Sequence, residues 1–139
     1  MNHYRLACLY QQTHRYGDAR AEVMAAITLK NDVIEWHMML GDVCLQMGMF
    51  DNARSAYLSA TTLAPEKTAP LYALSRLLVL QGRIQDAITK LEQALLRDPS
   101  NGKWYFELGQ LYEQRGNIDM ARAAYQNAIT FDGNRAEYY

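Results

Sequence analysis

Residues 108–121 read LGQLYEQRGNIDMA, and the pattern of this stretch recurs upstream at intervals of 34 residues. The earlier copies are residues 6–19, 40–53 and 74–87. Each copy begins with leucine, has a small residue in second place and ends with alanine. A fixed period of 20–50 residues is typical of solenoids, whose units bury their apolar faces against each other. The sequence therefore predicts a solenoid of four units.

The same interval aligns further columns of residues along the chain. Two apolar columns are Ala26, Ala60, Ala94 and Ala128, and Val23, Tyr57, Leu91 and Tyr125. A turn column holds Gly48, Gly82 and Gly116, with His14 in the first unit. Glycine takes the left-handed conformation at a helix C-terminus without steric cost, so each unit is predicted to be two helices joined by this turn. We expect the small second residue to lie opposite an alanine column and to bring the two helices close together.

The period predicts four first helices and four second helices. The first helices are expected near residues 2–13, 34–47, 67–81 and 101–115, and the second helices near 17–30, 50–63, 84–97 and 118–131. Pro70 falls in the first turn of its helix, where the missing amide hydrogen costs little, and Thr68 is the expected cap.

The unit resembles the tetratricopeptide repeat, which runs W-x2-L-G-x2-Y, then G-x-[YF]-x-x-A, then F, A and P. The fourth unit shows this pattern at Tyr105, Leu108, Gly109, Tyr112, Gly116, Ala121, Tyr125 and Ala128. Pro65 and Pro99 close the second and third units, whereas Asn31 and Gly133 stand there in the first and fourth. The resemblance implies an all-α fold, a right-handed α-solenoid of antiparallel helix pairs. It also implies one domain over residues 1–139, with repeats at about 1–33, 34–67, 68–101 and 102–135.

The resemblance further implies a non-catalytic scaffold that binds a peptide segment of a partner protein in a concave groove lined by the first helices. The residues inferred to face this groove are Tyr4, Met38, Tyr72 and Phe106, and, one turn further on, Cys8, Asp42, Arg76 and Gln110. The first four offer adaptable apolar contacts, and Arg76 can anchor a carboxylate. The alternative is that these side chains only pack against neighbouring first helices.

Other classes of partner find little support in the sequence. Family members that bind chaperone tails clamp a C-terminal carboxylate with lysines, asparagines and an arginine, and only Lys103 fits here, so we do not expect that partner. The chain has a formal net charge of −1 and no strongly basic unit, which argues against nucleic acid. No apolar run approaches the roughly 20 residues that span a bilayer, so membrane insertion is not expected.

Motifs for catalysis, cofactors or metal ions are missing from the sequence. There is no P-loop, dinucleotide fingerprint, HExxH or GxSxG motif. His3, His14 and His37 lack ligand spacing and are interpreted as structural residues. Cys8 and Cys44 are expected to be free thiols, because they form no CxxC pair and the chain is not cysteine-rich. We therefore expect neither an active site nor a cofactor.

The ends of the chain raise two further hypotheses. Residues 134–139 resemble the start of the fourth unit, so a fifth unit is expected to begin at 136–139, and the chain to be part of a longer array. Without a polar capping helix, the last helix is expected to expose Ile118, Tyr125 and Phe131. One hypothesis is therefore homo-oligomerisation through the ends, and the other is a regulatory arm of a larger enzyme or complex. The N-terminus enters the first repeat directly, so no secretory signal is expected there, and the compartment is not specified.

Overall fold

The computed structural model describes residues 2–131, and within them the chain forms eight α-helices and no strand. The helices are α1 (His3–Gln12), α2 (Tyr16–Leu29), α3 (Ile34–Gln46), α4 (Phe50–Leu63), α5 (Ala69–Leu80), α6 (Ile84–Arg97), α7 (Gly102–Gln114) and α8 (Ile118–Phe131). Every predicted helix is present, with its ends within two residues of the predicted positions. The expected fifth unit at 136–139 lies outside the described residues.

The chain divides into two compact units, Met1–Pro70 and Leu71–Tyr139. In the first unit α1 packs on α2, α2 on α3, and α3 on α4. In the second unit α7 packs on α6 and α8, and the hydroxyl of Ser75 in α5 donates to the carbonyl of Ala87 in α6 at 2.9 Å. Consecutive helices thus pair as the repeat period predicts, while the assignment of one domain to residues 1–139 stays a prediction.

The turns between paired helices confirm the role predicted for the glycine column. Gly48, Gly82 and Gly116 have φ angles of 74°, 75° and 79°. Each turn is closed by a hydrogen bond that reaches back five residues, such as that from the Met49 amide to the Cys44 carbonyl at 2.8 Å. This is the bond of a Schellman motif, which satisfies carbonyls at the helix end.

His14 occupies the same left-handed position in the first repeat, with a φ of 60°. The closing bond is retained there, since the Arg15 amide donates to the Tyr10 carbonyl at 2.8 Å. The left-handed conformation costs a residue with a Cβ roughly 1–2 kcal/mol, and glycine avoids this cost. The backbone at His14 is therefore strained, and the surrounding structure holds it in this conformation.

Replacing His14 with glycine is expected to raise the free energy of unfolding by about 0.5–1 kcal/mol. The gain is smaller than the strain removed because glycine loses more backbone entropy on folding, and because the His14 ring also contacts the Tyr16 hydroxyl at 2.8 Å. Urea denaturation followed by circular dichroism measures the change. Gly48→His is the reciprocal control and should destabilise; a loss of stability in His14→Gly would contradict the strain argument.

Helix pairs approach closely where a glycine faces a tyrosine ring. A Cβ added at Gly41 would lie 2.6 Å from Cδ1 of Tyr57, and one at Gly109 would lie 2.7 Å from Cε1 of Tyr125. The predicted close approach of the two helices of a repeat is present at these glycines. The residue that covers each glycine is a tyrosine, whereas the sequence led us to expect an alanine. At the registers of the glycine and the tyrosine, the first repeat has Ala7 and Val23, and the third repeat has Ser75 and Leu91. In both repeats the tyrosine is thus replaced by a smaller residue.

Candidate functional site

The first-helix surface of unit one contains a cleft of about 320 Å³. It is lined by Tyr4, Gln11, Ile34, Glu35, Met38, Met39, Asp42, Lys67, Ala69 and Pro70. Three of the predicted groove residues, Tyr4, Met38 and Asp42, therefore share one cavity. We call this cavity the unit-one cleft. Its lining is mostly apolar, and its two carboxylates, Glu35 and Asp42, outnumber the single cation Lys67.

Asp42 is held in place from the second helix of its own repeat. The Tyr57 hydroxyl donates a hydrogen bond to its Oδ1 at 2.5 Å, and the Tyr57 side chain is fully buried. Desolvation raises the pKa of the Asp42 carboxyl, and the bond from Tyr57 partly opposes that rise. The bond from Tyr57 thus orients the carboxylate, and a cation supplied by a ligand would lower its pKa and stabilise the charged form.

Tyr4 and Gln11 are the residues of α1 that line the unit-one cleft, and the predicted groove residue Cys8 is not part of its lining. The Tyr4 ring lies 6.2 Å from the Trp36 ring of α3, centroid to centroid. Burial raises the pKa of Tyr4, and the neighbouring Cys8 thiol adds to the effect. Tyr4 therefore both lines the cleft and packs on a neighbouring first helix, and its role in binding a partner stays a prediction.

In unit two the first-helix surface carries two cations beside an aromatic ring. Cζ of Arg76 lies 5.8 Å from the centroid of the Tyr72 ring, and Nζ of Lys103 lies 5.9 Å from it. Arg76 and Lys103 are exposed. We call this group, Tyr72 with Arg76 and Lys103, the cationic tyrosine patch. Cations near an aromatic face are attracted to it, which restricts the positions of their charged groups.

Tyr72 itself is anchored at both ends of its side chain. Its ring stacks on Trp104 at 5.2 Å with an interplanar angle of 20°, and its hydroxyl donates to Glu107 at 2.8 Å. Burial raises the pKa of Tyr72 to about 12, with a further contribution from Glu107. The tyrosine therefore stays neutral at ordinary pH and serves as a fixed support for the two cations.

The remaining predicted groove residues lie on α7. The Phe106 ring lies 5.6 Å from the Tyr125 ring of α8, so part of its surface is engaged within its own repeat. Gln110 is exposed. Sequence reasoning placed all eight groove residues on first helices, and the structure confirms that location; their role in binding stays a prediction.

The structure adds bonds between tyrosine hydroxyls and carboxylates that sequence reasoning missed. Besides Tyr57 and Tyr72, Tyr112 donates to Glu92 at 2.8 Å, and Tyr125 donates to Glu113. Burial raises the pKa of Tyr112 and of Tyr125 to about 12 each, with smaller contributions from the bonded carboxylates. The only signal in the sequence is a tyrosine in an apolar column, which does not say which acid its hydroxyl reaches.

Each histidine contacts an oxygen atom of another residue, and both cysteines are free, while the structural interpretation of the histidines stays a prediction. Nδ1 of His3 lies 2.6 Å from Oε2 of Glu22, and Nε2 of the buried His37 lies 2.9 Å from the Asn31 carbonyl oxygen. Cys8 and Cys44 are free thiols, and burial raises the pKa of Cys44. Nowhere in residues 2–131 do three histidine, cysteine, aspartate or glutamate side chains group together to hold a metal ion. Over the same residues, every helix is too short or too polar to cross a bilayer.

The family pattern described as tetratricopeptide repeat matches residues 4–67 and 72–136. The chain belongs to the tetratricopeptide repeat family. The resemblance drawn from Leu108, Gly109 and Tyr112 is therefore confirmed. Repeats of this family are of the kind used as scaffolds for protein–protein interaction.

Two curated relatives share part of this tetratricopeptide repeat sequence. BBSome complex member bbs-4 of Caenorhabditis elegans is 27% identical over 89 residues, which cover 64% of this chain and 19% of that protein. Cytochrome c-type biogenesis protein CycH of Bradyrhizobium diazoefficiens is 31% identical over 58 residues, which cover 42% of this chain and 16% of that protein. The chain thus spans less than a fifth of the length of these relatives.

Solved structures share the tetratricopeptide repeat fold. A crystal structure of MamA superposes with a TM-score of 0.87 at 19% identity, covering 96% of this chain and 78% of that one. MamA from Desulfovibrio magneticus RS-1 gives a TM-score of 0.85 at 15% identity, covering 96% of this chain and 76% of that one. At these identities the likeness concerns the fold alone, and it confirms the expected all-α solenoid class.

Proposed function

We propose that this protein is a non-catalytic scaffold whose first-helix surfaces bind a peptide segment of a partner protein. The observation that carries the proposal is the unit-one cleft, where Tyr4, Met38 and Asp42 from two successive first helices line one cavity of about 320 Å³. A cavity of this size accommodates one or two side chains of a peptide and lies at the lower end of the range of ligand pockets.

The charges of the two units predict which peptide residues each surface selects. The unit-one cleft presents Glu35 and Asp42 within a mostly apolar lining, which fits an apolar side chain next to a lysine or arginine. The cationic tyrosine patch presents Arg76 and Lys103, which fits aspartate, glutamate or a terminal carboxylate. Each unit thus contributes one subsite with its own charge preference, and each preference is tested separately.

Removing the carboxylates of the unit-one cleft is expected to abolish the preference for basic peptides. In an array of peptides with a constant apolar core and a scanned lysine or arginine, Asp42→Asn with Glu35→Gln should weaken binding of the best basic peptide about fivefold, equivalent to about 1 kcal/mol. The amide that replaces the Asp42 carboxylate still offers an acceptor to the Tyr57 hydroxyl, so the change isolates charge from packing. Fluorescence anisotropy with the full chain measures the affinities.

The matched control removes two carboxylates from second helices. Asp18→Asn with Asp51→Asn changes the net charge equally, and both residues lie in the first turn of a second helix. If the control weakens basic peptides as much as the cleft variant, the effect comes from overall charge and the cleft is not the subsite. If no basic peptide is preferred by the unaltered chain, the proposal fails for unit one.

A further inference from the structure

Helix α3 presents a stripe of charged and apolar side chains to the unit-one cleft. Glu35 and Asp42 line the cleft seven residues apart, and Met38 and Met39 lie between them in the same lining. Seven residues are about two helical turns, so the two carboxylates share one face of α3, about 10.5 Å apart along its axis. Glu35 and Asp42 are exposed, Met38 is half-buried and Met39 is buried. The cleft therefore has an apolar position between two acidic ones, at a defined spacing.

Both carboxylates can accept a cation from a ligand. Among residues 2–131, neither Glu35 nor Asp42 belongs to an ion pair. The Tyr57 hydroxyl donates to Oδ1 of Asp42, and a carboxylate has about four acceptor positions on its two oxygens, so positions remain for a ligand. Lys67 also lines the cleft, and a single cation neutralises one of the two negative charges. The lining thus keeps a net attraction for a basic ligand.

The acidic pair is specific to the second repeat. The same registers of the other repeats hold Met1 and Cys8, Ala69 and Arg76, and Lys103 and Gln110. The first-helix register therefore does not itself require acids at these positions. The spacing of Glu35 and Asp42 is a local feature of this surface that a ligand can recognise.

The spacing of the two carboxylates distinguishes a helical ligand from an extended one. On a helix, two basic residues seven positions apart lie about 10.5 Å apart on one face, with the residues three and four positions after the first between them. On an extended segment, residues on one face lie about 6.6 or 13 Å apart, and residues about 10 Å apart point to opposite faces. A helix therefore matches the two acidic positions and the apolar one together. The match is the same whether the helix runs parallel or antiparallel to α3.

We infer that the unit-one cleft binds an amphipathic helix of a partner protein, with two basic residues seven positions apart and an apolar residue between them. The apolar side chain enters the cavity beside Met38, and the two basic side chains meet Glu35 and Asp42. Helices commonly bind in grooves through anchors at such helical intervals. This inference rests on the proposed function of the cleft, and it adds the conformation and the spacing that the partner segment must have.

Three peptides of nearly the same composition test this inference. Each is rich in alanine and glutamine and contains one leucine and two residues of diaminobutyric acid, whose short basic side chain tolerates little error in spacing. The matched peptide has the basic residues seven positions apart, and the second has them five apart, on different faces of a helix. The third is the matched peptide with a proline beside the leucine, which breaks the helix. Fluorescence anisotropy with the full chain should show about fivefold tighter binding of the matched peptide, which alone brings both charges to carboxylates.

Removing one carboxylate should remove the preference for spacing. Asp42→Asn should bind the matched and the second peptide equally, since one carboxylate of the pair is left. Asp51→Asn is the control, because it changes the net charge equally from the first turn of α4, and it should keep the fivefold preference. This pattern in the two variants would support the inference.

Other outcomes separate this inference from the proposed function. If basic peptides bind without a preference for a spacing of seven, or if the proline peptide binds best as an extended ligand would, the inference is overturned and the proposed function stands. The same holds if none of the three peptides binds while a basic peptide from the array does. If no basic peptide binds in either experiment, both the inference and the proposed selection of basic peptides by unit one fail.

Discussion

Replacing Gly41 with alanine is expected to lower the free energy of unfolding by about 1–2 kcal/mol, although alanine is the better helix former. The added Cβ would lie 2.6 Å from Cδ1 of Tyr57, inside van der Waals contact. The Tyr57 ring is fully buried and its hydroxyl is bonded to Asp42, so it cannot move aside freely. Overpacking costs about 1–3 kcal/mol, and the gain in helix propensity of about 1 kcal/mol offsets part of it. Thermal and urea denaturation measure the change.

Two comparisons separate the clash from other effects of the substitution. Gly17→Ala is the matched control, because Gly17 is helical and a Cβ there meets no atom within 4 Å, so this change should be neutral or stabilising. Tyr57→Val makes room at Gly41 and copies the Ala7 and Val23 combination of the first repeat. In that background Gly41→Ala should cost nothing, which corresponds to a coupling of about 1–2 kcal/mol. Equal costs in both backgrounds would contradict the packing argument.

The helices could be located from the sequence because the repeat period aligns several weak signals at one place. Gly48, Gly82 and Gly116 stop the first helices, and the left-handed φ angles at these glycines confirm the physical reason. The small errors lie at helix ends, where side chains decide the boundary. The Asn101 side chain, for example, accepts the Trp104 amide and so caps α7 from outside the helix.

Contacts across helices were harder to predict, since they depend on how far a side chain reaches. The small column at Gly41 and Gly109 indicated close helix packing, but the sequence does not say that a tyrosine ring would cover it. The same limit applies to Tyr72, which periodicity placed on the first-helix surface without revealing its stack on Trp104. The sequence therefore predicted the candidate site as a set of positions, and the structure supplied the clefts, bonds and charges.

Reversing the two cations of the cationic tyrosine patch is expected to weaken binding of acidic peptides about tenfold, equivalent to about 1.4 kcal/mol. Both residues are exposed. Cζ of Arg76 lies 5.8 Å and Nζ of Lys103 lies 5.9 Å from the centroid of the Tyr72 ring, so both positive charges are close to the same ring. Arginine can bind a carboxylate through two parallel hydrogen bonds. In the variant Arg76→Glu with Lys103→Glu these bonds are lost, and the two glutamates repel the carboxylates of the peptide. The measurement is fluorescence anisotropy of the full chain with the best acidic peptide from an array.

The control variant changes the net charge by the same amount at residues outside the patch. Arg97→Glu with Arg115→Glu does so, because both residues are exposed and lie at or just after the ends of α6 and α7. Long-range attraction between the chain and an acidic peptide would fall equally in both variants and would disappear at high salt, where charges are screened beyond a few ångströms. A local subsite would weaken only in the patch variant, and the difference between variants would persist as salt is raised. Equal weakening in both would mean that net charge, and no defined subsite in unit two, selects acidic partners.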